Sequence, residues 1–228
     1  MPAAVLTVWH LYFYQSIPIV MVHKAFSIII AGFLSMATLF GQDKETRWDF
    51  WDPDYKCYVG TTAFMLGNLF PDPPSLYQLN FGYWITPKDV VSLEVITWKY
   101  HAPLGIPYGP SFGEESEDYP GSIREYGVGV VYQRFLWKGL YSSLQVLPLR
   151  RIYMDKDDKT IQKGFQLFST LRLGYHIPFF KNRFFIEPSI AATFWPVSTN
   201  VPDSFEAKDD KWNKYFLGEP GLHFGFKF

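Results

Sequence analysis

The sequence lacks three features that mark other classes of protein. It contains one cysteine, Cys57, among 228 residues, so it can form neither an intramolecular disulfide nor a cysteine-based metal site. It has no excess of charge, because 21 Lys and Arg stand against 22 Asp and Glu for a net charge of -1. That balance gives no electrostatic reason to expect nucleic acid as a partner. Repeated apolar runs of about 20 residues, which a helical membrane bundle requires, are also missing.

Aromatic residues are what the sequence has in excess. The 8 Trp, 15 Tyr and 22 Phe make up 20% of the chain, and hydrophobic residues make up 48%, yet the mean hydropathy is only -0.05. Chains with this aromatic content do not remain disordered. The length fits one domain or two small ones.

The N-terminal region has the pattern of an export signal. Residues 25–40 form an apolar stretch that follows Lys24 and precedes small, polar and charged residues. This order is typical of a secretory signal peptide, and the stretch is short for a membrane-spanning helix. We predict a signal peptide over 21–42 that is cleaved near Gln42.

Residues 1–20 fit poorly in front of such a signal, because a signal peptide begins only a few residues before its apolar region. We interpret 1–20 as an over-extended gene start and Met21 as the biological start. The alternative is a separate hydrophobic helix over 3–21, which Pro18 and His10 disfavour.

The remaining sequence has the pattern of β-strands. After a polar lead-in over 43–57, the segment 58–228 alternates between apolar and polar residues and keeps no helical period. We predict eight strands, at 58–69, 75–86, 90–102, 125–137, 140–153, 162–179, 183–197 and 215–228.

The predicted connections alternate between two kinds. Those at 86–89, 138–139 and 181–182 have the residues of tight turns. The others are mostly longer and more polar, above all 103–124 and 198–214. Short turns at one end and longer loops at the other are the arrangement of an up-and-down barrel in an outer membrane.

The direction of the apolar residues distinguishes a membrane barrel from a soluble one. In strand 162–179, Phe165, Leu171 and Leu173 share one face, while Arg172 and His176 share the other. The interior of an eight-stranded barrel is too narrow for long rows of Phe and Leu, so we assign the apolar faces outward. A soluble lipocalin-type barrel would have the opposite arrangement, since an apolar outer surface aggregates in water.

The same rule assigns the facing of strand 215–228. Outward are Phe216, Gly218, Pro220, Leu222, Phe224, Phe226 and Phe228, and inward are Leu217, Glu219, Gly221, His223, Gly225 and Lys227.

Three features carry a likeness to a known family: the export signal, the strand series, and the final residues His223-Phe224-Gly225-Phe226-Lys227-Phe228. In these the chain resembles the small outer-membrane β-barrel family of Gram-negative bacteria. The resemblance implies an all-β, eight-stranded antiparallel up-and-down transmembrane barrel, integral to the outer membrane after its signal peptide is cleaved. It implies outer-membrane lipid as the surroundings. It also implies that Phe224, Phe226 and Phe228 form a signal read by the barrel assembly machinery.

The residues assigned to the inside include charged groups, which are costly to bury unless they are paired. We therefore expect a lumen network that plugs the barrel, formed by Arg172, His176, Glu187, Glu219 and His223. Further inward polar residues are Glu94, Glu125, Gln133 and Lys227. A two-residue turn at 181–182 would set His176 directly opposite Glu187, with their Cβ atoms about 4.5–5.5 Å apart.

These features predict a non-enzymatic outer-membrane protein whose loops 103–124 and 198–214 serve in structure, in shielding the membrane or in binding a partner. The alternative is a lipid-modifying enzyme similar to lipid A deacylases, with Ser189, His176 and Glu187 as candidate catalytic residues. The sequence around His176 lacks the His-x-Ser pattern of those enzymes, and the three residues are assigned to the lumen. We predict no cofactor and no metal site.

Replacing Phe228 with Asp, or deleting it, is expected to impair insertion into the outer membrane while leaving export across the inner membrane intact. The reason is the terminal apolar stripe that Phe228 completes. Cell fractionation with unboiled gels of the outer-membrane fraction measures the effect, and Phe180→Asp beside a predicted turn is the matched control. Assembly of the Phe228 variant at the wild-type level would contradict the assembly signal.

Overall fold

The computed structural model describes residues 51–69, 73, 75–100, 120–209 and 214–228. The strands are β1 (Cys57–Thr62), β2 (Tyr77–Trp84), β3 (Asp89–Tyr100), β4 (Ser122–Trp137), β5 (Leu140–Met154), β6 (Thr160–Tyr175), β7 (Ile177–Phe179), β8 (Phe184–Thr199) and β9 (Tyr215–Lys227). A 3-10 helix covers Ala63–Leu69, and helix α1 covers Asp203–Asp209.

The strands form one antiparallel up-and-down sheet that closes in a ring. Each strand pairs with its neighbours in sequence, and β1 pairs with β9 from Tyr58↔Lys227 to Thr62↔His223. β6 and β7 are separated only by His176, and both pair with β8. The ring therefore has eight wall positions, and the predicted all-β up-and-down fold is confirmed.

Connections of two kinds alternate along the ring. The turns at 85–88, 138–139 and 180–183 lie at one end, which we call the turn end. At the opposite end, the loop end, the strands are joined through 63–76, 101–121, 155–159 and 200–214. Lys181 and Asn182 have φ angles of 57° and 63°, the conformation of a two-residue hairpin whose twist matches its strands.

The first strand is shorter than the predicted 58–69, because it ends at Thr62 and continues as the 3-10 helix. Side chains take over the backbone hydrogen bonds there. The Phe64 N–H donates to Thr62 Oγ1 at 3.4 Å. Asn68 Nδ2 donates to the Leu76 carbonyl at 2.6 Å, and Asn68 Oδ1 accepts from the Leu76 N–H at 3.0 Å. Such local bonds compete with a strand ladder.

The predicted facing of strand 215–228 is wrong at its beginning. The register with β8 shifts between Ala191 and Ala192, and Gly218 has a φ of 84°. This bulge reverses the alternation before it, so Leu217 is 60% exposed and lies on the outer side. Phe216 is paired with the inward, buried Thr193.

Several predicted segments lie outside the described residues: the gene start 1–20, the signal peptide 21–42, the lead-in up to residue 50, and most of loop 103–124. The described part of loop 198–214 contains the end of β8 and helix α1. None of the helices described is long and apolar enough to cross a membrane.

The outer side of the wall is mostly apolar, whereas the lumen holds both polar and apolar side chains. Leu79, Val128 and Ile190 are 41%, 53% and 55% exposed on the outer side, whereas Glu125 and Lys227 are each 1% exposed. Among the described residues, the other buried acidic and basic side chains are Glu94, Arg151, His176 and Glu187. Large apolar side chains such as Trp84, Phe135 and Leu149 are buried beside these polar groups, so the expectation that Phe and Leu lie outside holds only in part.

Small inward residues make room for the aromatic side chains of the lumen. A Cβ atom at Gly82 would overlap the ring of Tyr58, and one at Gly225 would overlap the ring of Phe185. The glycines therefore allow rings from neighbouring strands to lie flat against the inner wall, where the lumen of an eight-stranded ring is narrow.

Candidate functional site

The turn end of the lumen is filled by a layer of mostly aromatic side chains, which we call the turn-end plug. The rings of Trp84 and Phe135 stack with centroids 4.9 Å apart, and those of His176 and Phe185 do the same at 4.9 Å. Lys227 Nζ lies 5.0 Å from the centroid of the Trp84 ring, within the range of a cation–π contact. Each of the eight wall positions contributes one residue to the plug: Tyr58, Trp84, Val90, Phe135, Tyr141, His176, Phe185 and Lys227.

His176 and Glu187 lie side by side at this level. His176 Nδ1 is 2.7 Å from Glu187 Oε1, and the two side chains are 1% and 11% exposed. Gln133 Nε2 donates to the same carboxylate oxygen at 3.1 Å. The register on either side, Gly174↔Ser189 and Ile177↔Ile186, is the one expected from a two-residue turn at 181–182.

Arg172 is the centre of a second polar group, farther toward the loop end. Its guanidinium donates to Ser189 Oγ at 3.0 Å and lies 3.5 Å from Glu219 Oε1. The other oxygen of Glu219 accepts from Thr193 Oγ1 at 2.7 Å. Gly221 lies against the guanidinium, where a side chain would displace it.

The remaining predicted lumen residues lie close to these two groups. His223 is paired with Glu187 across β8 and β9, and its ring makes no hydrogen bond with any residue that the structure describes. Glu94 accepts from Gln78 Nε2 at 3.0 Å and from Gln145 Nε2 at 2.6 Å. Amide donors therefore stabilise this buried carboxylate.

A third polar group at the loop end includes residues that the sequence analysis missed. Arg151 Nε donates to Glu125 Oε1 at 2.6 Å, and the two side chains are 4% and 1% exposed. Tyr100 Oη donates to the same carboxylate oxygen at 2.8 Å and accepts from Arg151 Nη2 at 2.9 Å. Arg151 Nη1 also lies 3.3 Å from Tyr153 Oη.

A bulge explains why Arg151 was missed. A two-residue turn at 138–139 alone would set Glu125 opposite Ile152. The register shifts by one residue between Phe135 and Trp137, and the shift sets Glu125 opposite Arg151. One inserted residue thus exchanges the residues that face the lumen with those that face outward along the rest of the strand.

Helix α1 covers this third group. Phe205 is 7% exposed, and its ring lies 5.1 Å from that of Tyr153, centroid to centroid. Tyr100 and Ile123 complete the apolar contact. Part of the loop between β8 and β9 is therefore anchored in the lumen instead of projecting from it.

The candidate catalytic residues are only partly brought together. His176 and Glu187 are in contact, but the hydrogen bond that the structure gives for the Ser189 hydroxyl is to Arg172. In the part of the chain that is described, no group of three or more His, Cys, Asp or Glu side chains is arranged to hold a metal ion.

The residues of the predicted assembly signal lie on the outer side of β9 and just beyond it. Phe224 and Phe228 are 41% and 53% exposed, while Phe226 packs against Phe184 with centroids 5.0 Å apart. The backbone of Phe228 exchanges hydrogen bonds with Cys57 at 2.9 and 3.1 Å. The C-terminal strand thus completes the ring.

The outer wall carries charge near its two ends. On β4 the outward residues between Arg124 and Arg134 are Tyr126, Val128, Val130 and Tyr132. On β3 those between Asp89 and Lys99 are Val91, Leu93, Val95 and Thr97. Arg134 and Asp89 pair at the turn end, with Nη1 and Oδ1 2.7 Å apart.

Comparisons of the chain with protein-family models, with curated proteins and with solved structures found no match.

Replacing Arg151 with Met is expected to destabilise the fold by about 3–5 kcal/mol, because it leaves the Glu125 carboxylate buried without its cation. Denaturant unfolding followed by tryptophan fluorescence measures the loss. Arg150→Met removes a neighbouring charge from the outer side and should change the stability by less than about 0.5 kcal/mol. The double variant Glu125→Gln/Arg151→Met should recover part of the loss, and equal losses in the single and double variants would argue against the pairing.

Proposed function

We propose that this chain is an integral outer-membrane β-barrel protein of a Gram-negative envelope, without enzymatic activity, whose lumen is filled by its own side chains. Its activity would then lie in its outer wall and in its loops. Outer-membrane lipid would surround the wall, and the barrel assembly machinery would insert the protein.

The observation that carries this proposal is the height of the uncharged wall. Arg134 follows Arg124 by ten residues on β4, which corresponds to about 33 Å along a strand. A strand tilt of about 40° reduces this to about 25 Å, the height of the apolar band on an outer-membrane barrel. Asp89 and Lys99 bracket a band of the same length on β3.

Aromatic residues at the borders of the band support the same location. Toward the loop end, Tyr77 and Tyr126 are 57% and 49% exposed. Near the turn end, Trp137 and Phe180 are 61% and 73% exposed. Amphipathic aromatic rings are favoured at the two interfaces of a membrane. In water, these rings and the band between them would form an apolar surface prone to association.

The filled lumen supports a role other than conduction. The turn-end plug includes every wall position of the ring, and Phe205 covers the opposite end. We therefore assign structural, shielding or partner-binding roles to the loops 103–124 and 198–214. Helix α1 lies in the second of these loops and is held in place by the packing of Phe205 against Tyr153.

The membrane location is tested by adding a charge to the outer wall at two depths and comparing the loss of stability. Val130 and Ile161 are 52% and 47% exposed on the outer side, but Val130 lies halfway along the band and Ile161 lies beyond its loop-end border. Val130→Arg should destabilise the barrel in lipid vesicles by about 2–4 kcal/mol, and Ile161→Arg by about 0–1 kcal/mol. Urea unfolding in vesicles measures both. Equal, small effects would indicate a wall in contact with water.

The cellular test combines fractionation with gel mobility. A closed barrel satisfies its strand hydrogen bonds internally, so it should stay folded in SDS until boiled and should be recovered in the outer membrane. Recovery in the soluble periplasm without a mobility shift would contradict the proposal. Mass spectrometry of lipid A from deletion and overexpressing strains addresses the enzyme alternative, which requires a change in acyl chains that depends on Ser189.

A further inference from the structure

Four basic side chains lie on the outer wall at its loop end, on four consecutive strands. We call Lys99, Arg124, Arg150 and Lys163 the loop-end basic patch. Lys99 pairs with Arg124, Arg124 with Ile152, and Ile152 with Lys163, so these residues form one row across β3 to β6. Arg150 lies in the adjacent row, paired with Tyr126 and with Phe165. With neighbouring strands about 4.8 Å apart, the row is about 15 Å wide.

The described residues compensate the charge of this patch only in part. Lys99 Nζ lies 2.6 Å from Asp158 Oδ1, and Arg124 Nη1 donates to the Ser75 carbonyl at 3.2 Å. Arg150 and Lys163 are exposed, and neither forms a hydrogen bond or an ion pair with a residue in the described ranges. The nearby turn adds Asp155, Asp157, Lys156 and Lys159, whose charges cancel in number. Counted over the described residues, the patch retains a positive surplus, which attracts anions.

An apolar groove begins directly beside the patch, on the side of the uncharged band. It has a volume of about 470 Å³ and is lined mainly by Met65, Tyr77, Leu79, Val95, Tyr126 and Val128. Tyr126 follows Arg124 by two residues on the same face of β4, so the groove continues from the charged row toward the middle of the wall. Its volume lies in the range of about 300–1,000 Å³ that is typical of sites for small ligands.

The two features together match an amphiphile that is anionic at one end and apolar at the other. We propose that this face binds a lipid of the surrounding bilayer that carries more than one phosphate group, with its phosphates on the basic patch and an acyl chain in the groove. Two or more phosphates fit the patch because its cations are distributed over four strands. The assignment rests on the proposed location of the wall in a membrane.

Titration calorimetry of the full barrel in neutral detergent micelles tests the ligand, with diphosphoryl lipid A, monophosphoryl lipid A and phosphatidylcholine as probes. We expect the tightest binding for the diphosphoryl lipid, weaker binding for the monophosphoryl lipid, and a dependence on salt. Equal affinity for all three lipids would overturn the proposal. Equal affinity for the two forms of lipid A would overturn the assignment of more than one phosphate.

Two pairs of variants test the site. Arg150→Gln/Lys163→Gln should weaken binding of diphosphoryl lipid A about thirtyfold, because each of the two removed cations contributes to the attraction of an anionic lipid. Lys138→Gln/Lys181→Gln removes two charges at the turn end and should leave the affinity unchanged. Val128→Trp should fill the groove and weaken binding, whereas Val130→Trp, one row farther along β4, should not. The site would be overturned if Arg150→Gln/Lys163→Gln and Lys138→Gln/Lys181→Gln changed the affinity equally. It would also be overturned if Val128→Trp and Val130→Trp did so.

The outcome separates this inference from the proposed function. A barrel that is heat-modifiable and inserts into vesicles, but has no preference for phosphorylated lipid, would overturn the lipid site and leave the membrane location standing. A protein that stays soluble without detergent and unfolds in SDS without heating would overturn both.

Discussion

The pairing of β1 with β9 is the constraint on which the rest of the structure depends. Closing the sheet after eight wall positions removes free strand edges and produces a narrow lumen. Inward side chains can then contact others across the lumen, as Trp84 on β2 does with Phe135 on β4. Glycine at positions such as Gly82 makes room for rings such as that of Tyr58, and the rings in turn fill the turn end. The lumen holds a limited number of large apolar side chains, such as Phe135 and Leu149, and the other apolar residues form the outer wall.

The narrow lumen also accounts for the pairing of its charges. Glu125 with Arg151, Glu187 with His176, and Glu219 with Arg172 are the contacts that keep buried titratable groups from being isolated. Glu125 and Arg151 lie on paired strands, as do Glu187 and the His176 end of β6, so each of these two contacts also favours one strand register over the shifted ones. Arg172 and Glu219 make contact across β8, which lies between their strands. The charges inside therefore help to select one strand register. The outward charges that other molecules can reach lie near the ends of the wall.

Much of the architecture follows from local patterns in the sequence. The period-two alternation predicts the strands and the outward facing of residues such as Ile190, and the turn at 181–182 sets the register around His176 and Glu187. The predictions fail where one residue changes the register, at the bulge after Phe135 and at Gly218. They also fail at Thr62, where β1 ends in a 3-10 helix. A bulge has no strong sequence signal, because its stability depends on how side chains on both adjacent strands pack.

The sequence by itself determined the fold class, the two faces of most strands and the need to pair the inward charges, because alternation and the cost of buried charge are properties of each strand and residue. Tertiary structure decided the partner of each charge and the position of the outward ones. Arg150 and Arg151 are adjacent in the chain, yet one lies outside among basic side chains and the other is buried against Glu125. That difference arises from strand register across the whole ring, to which residues far apart in sequence contribute.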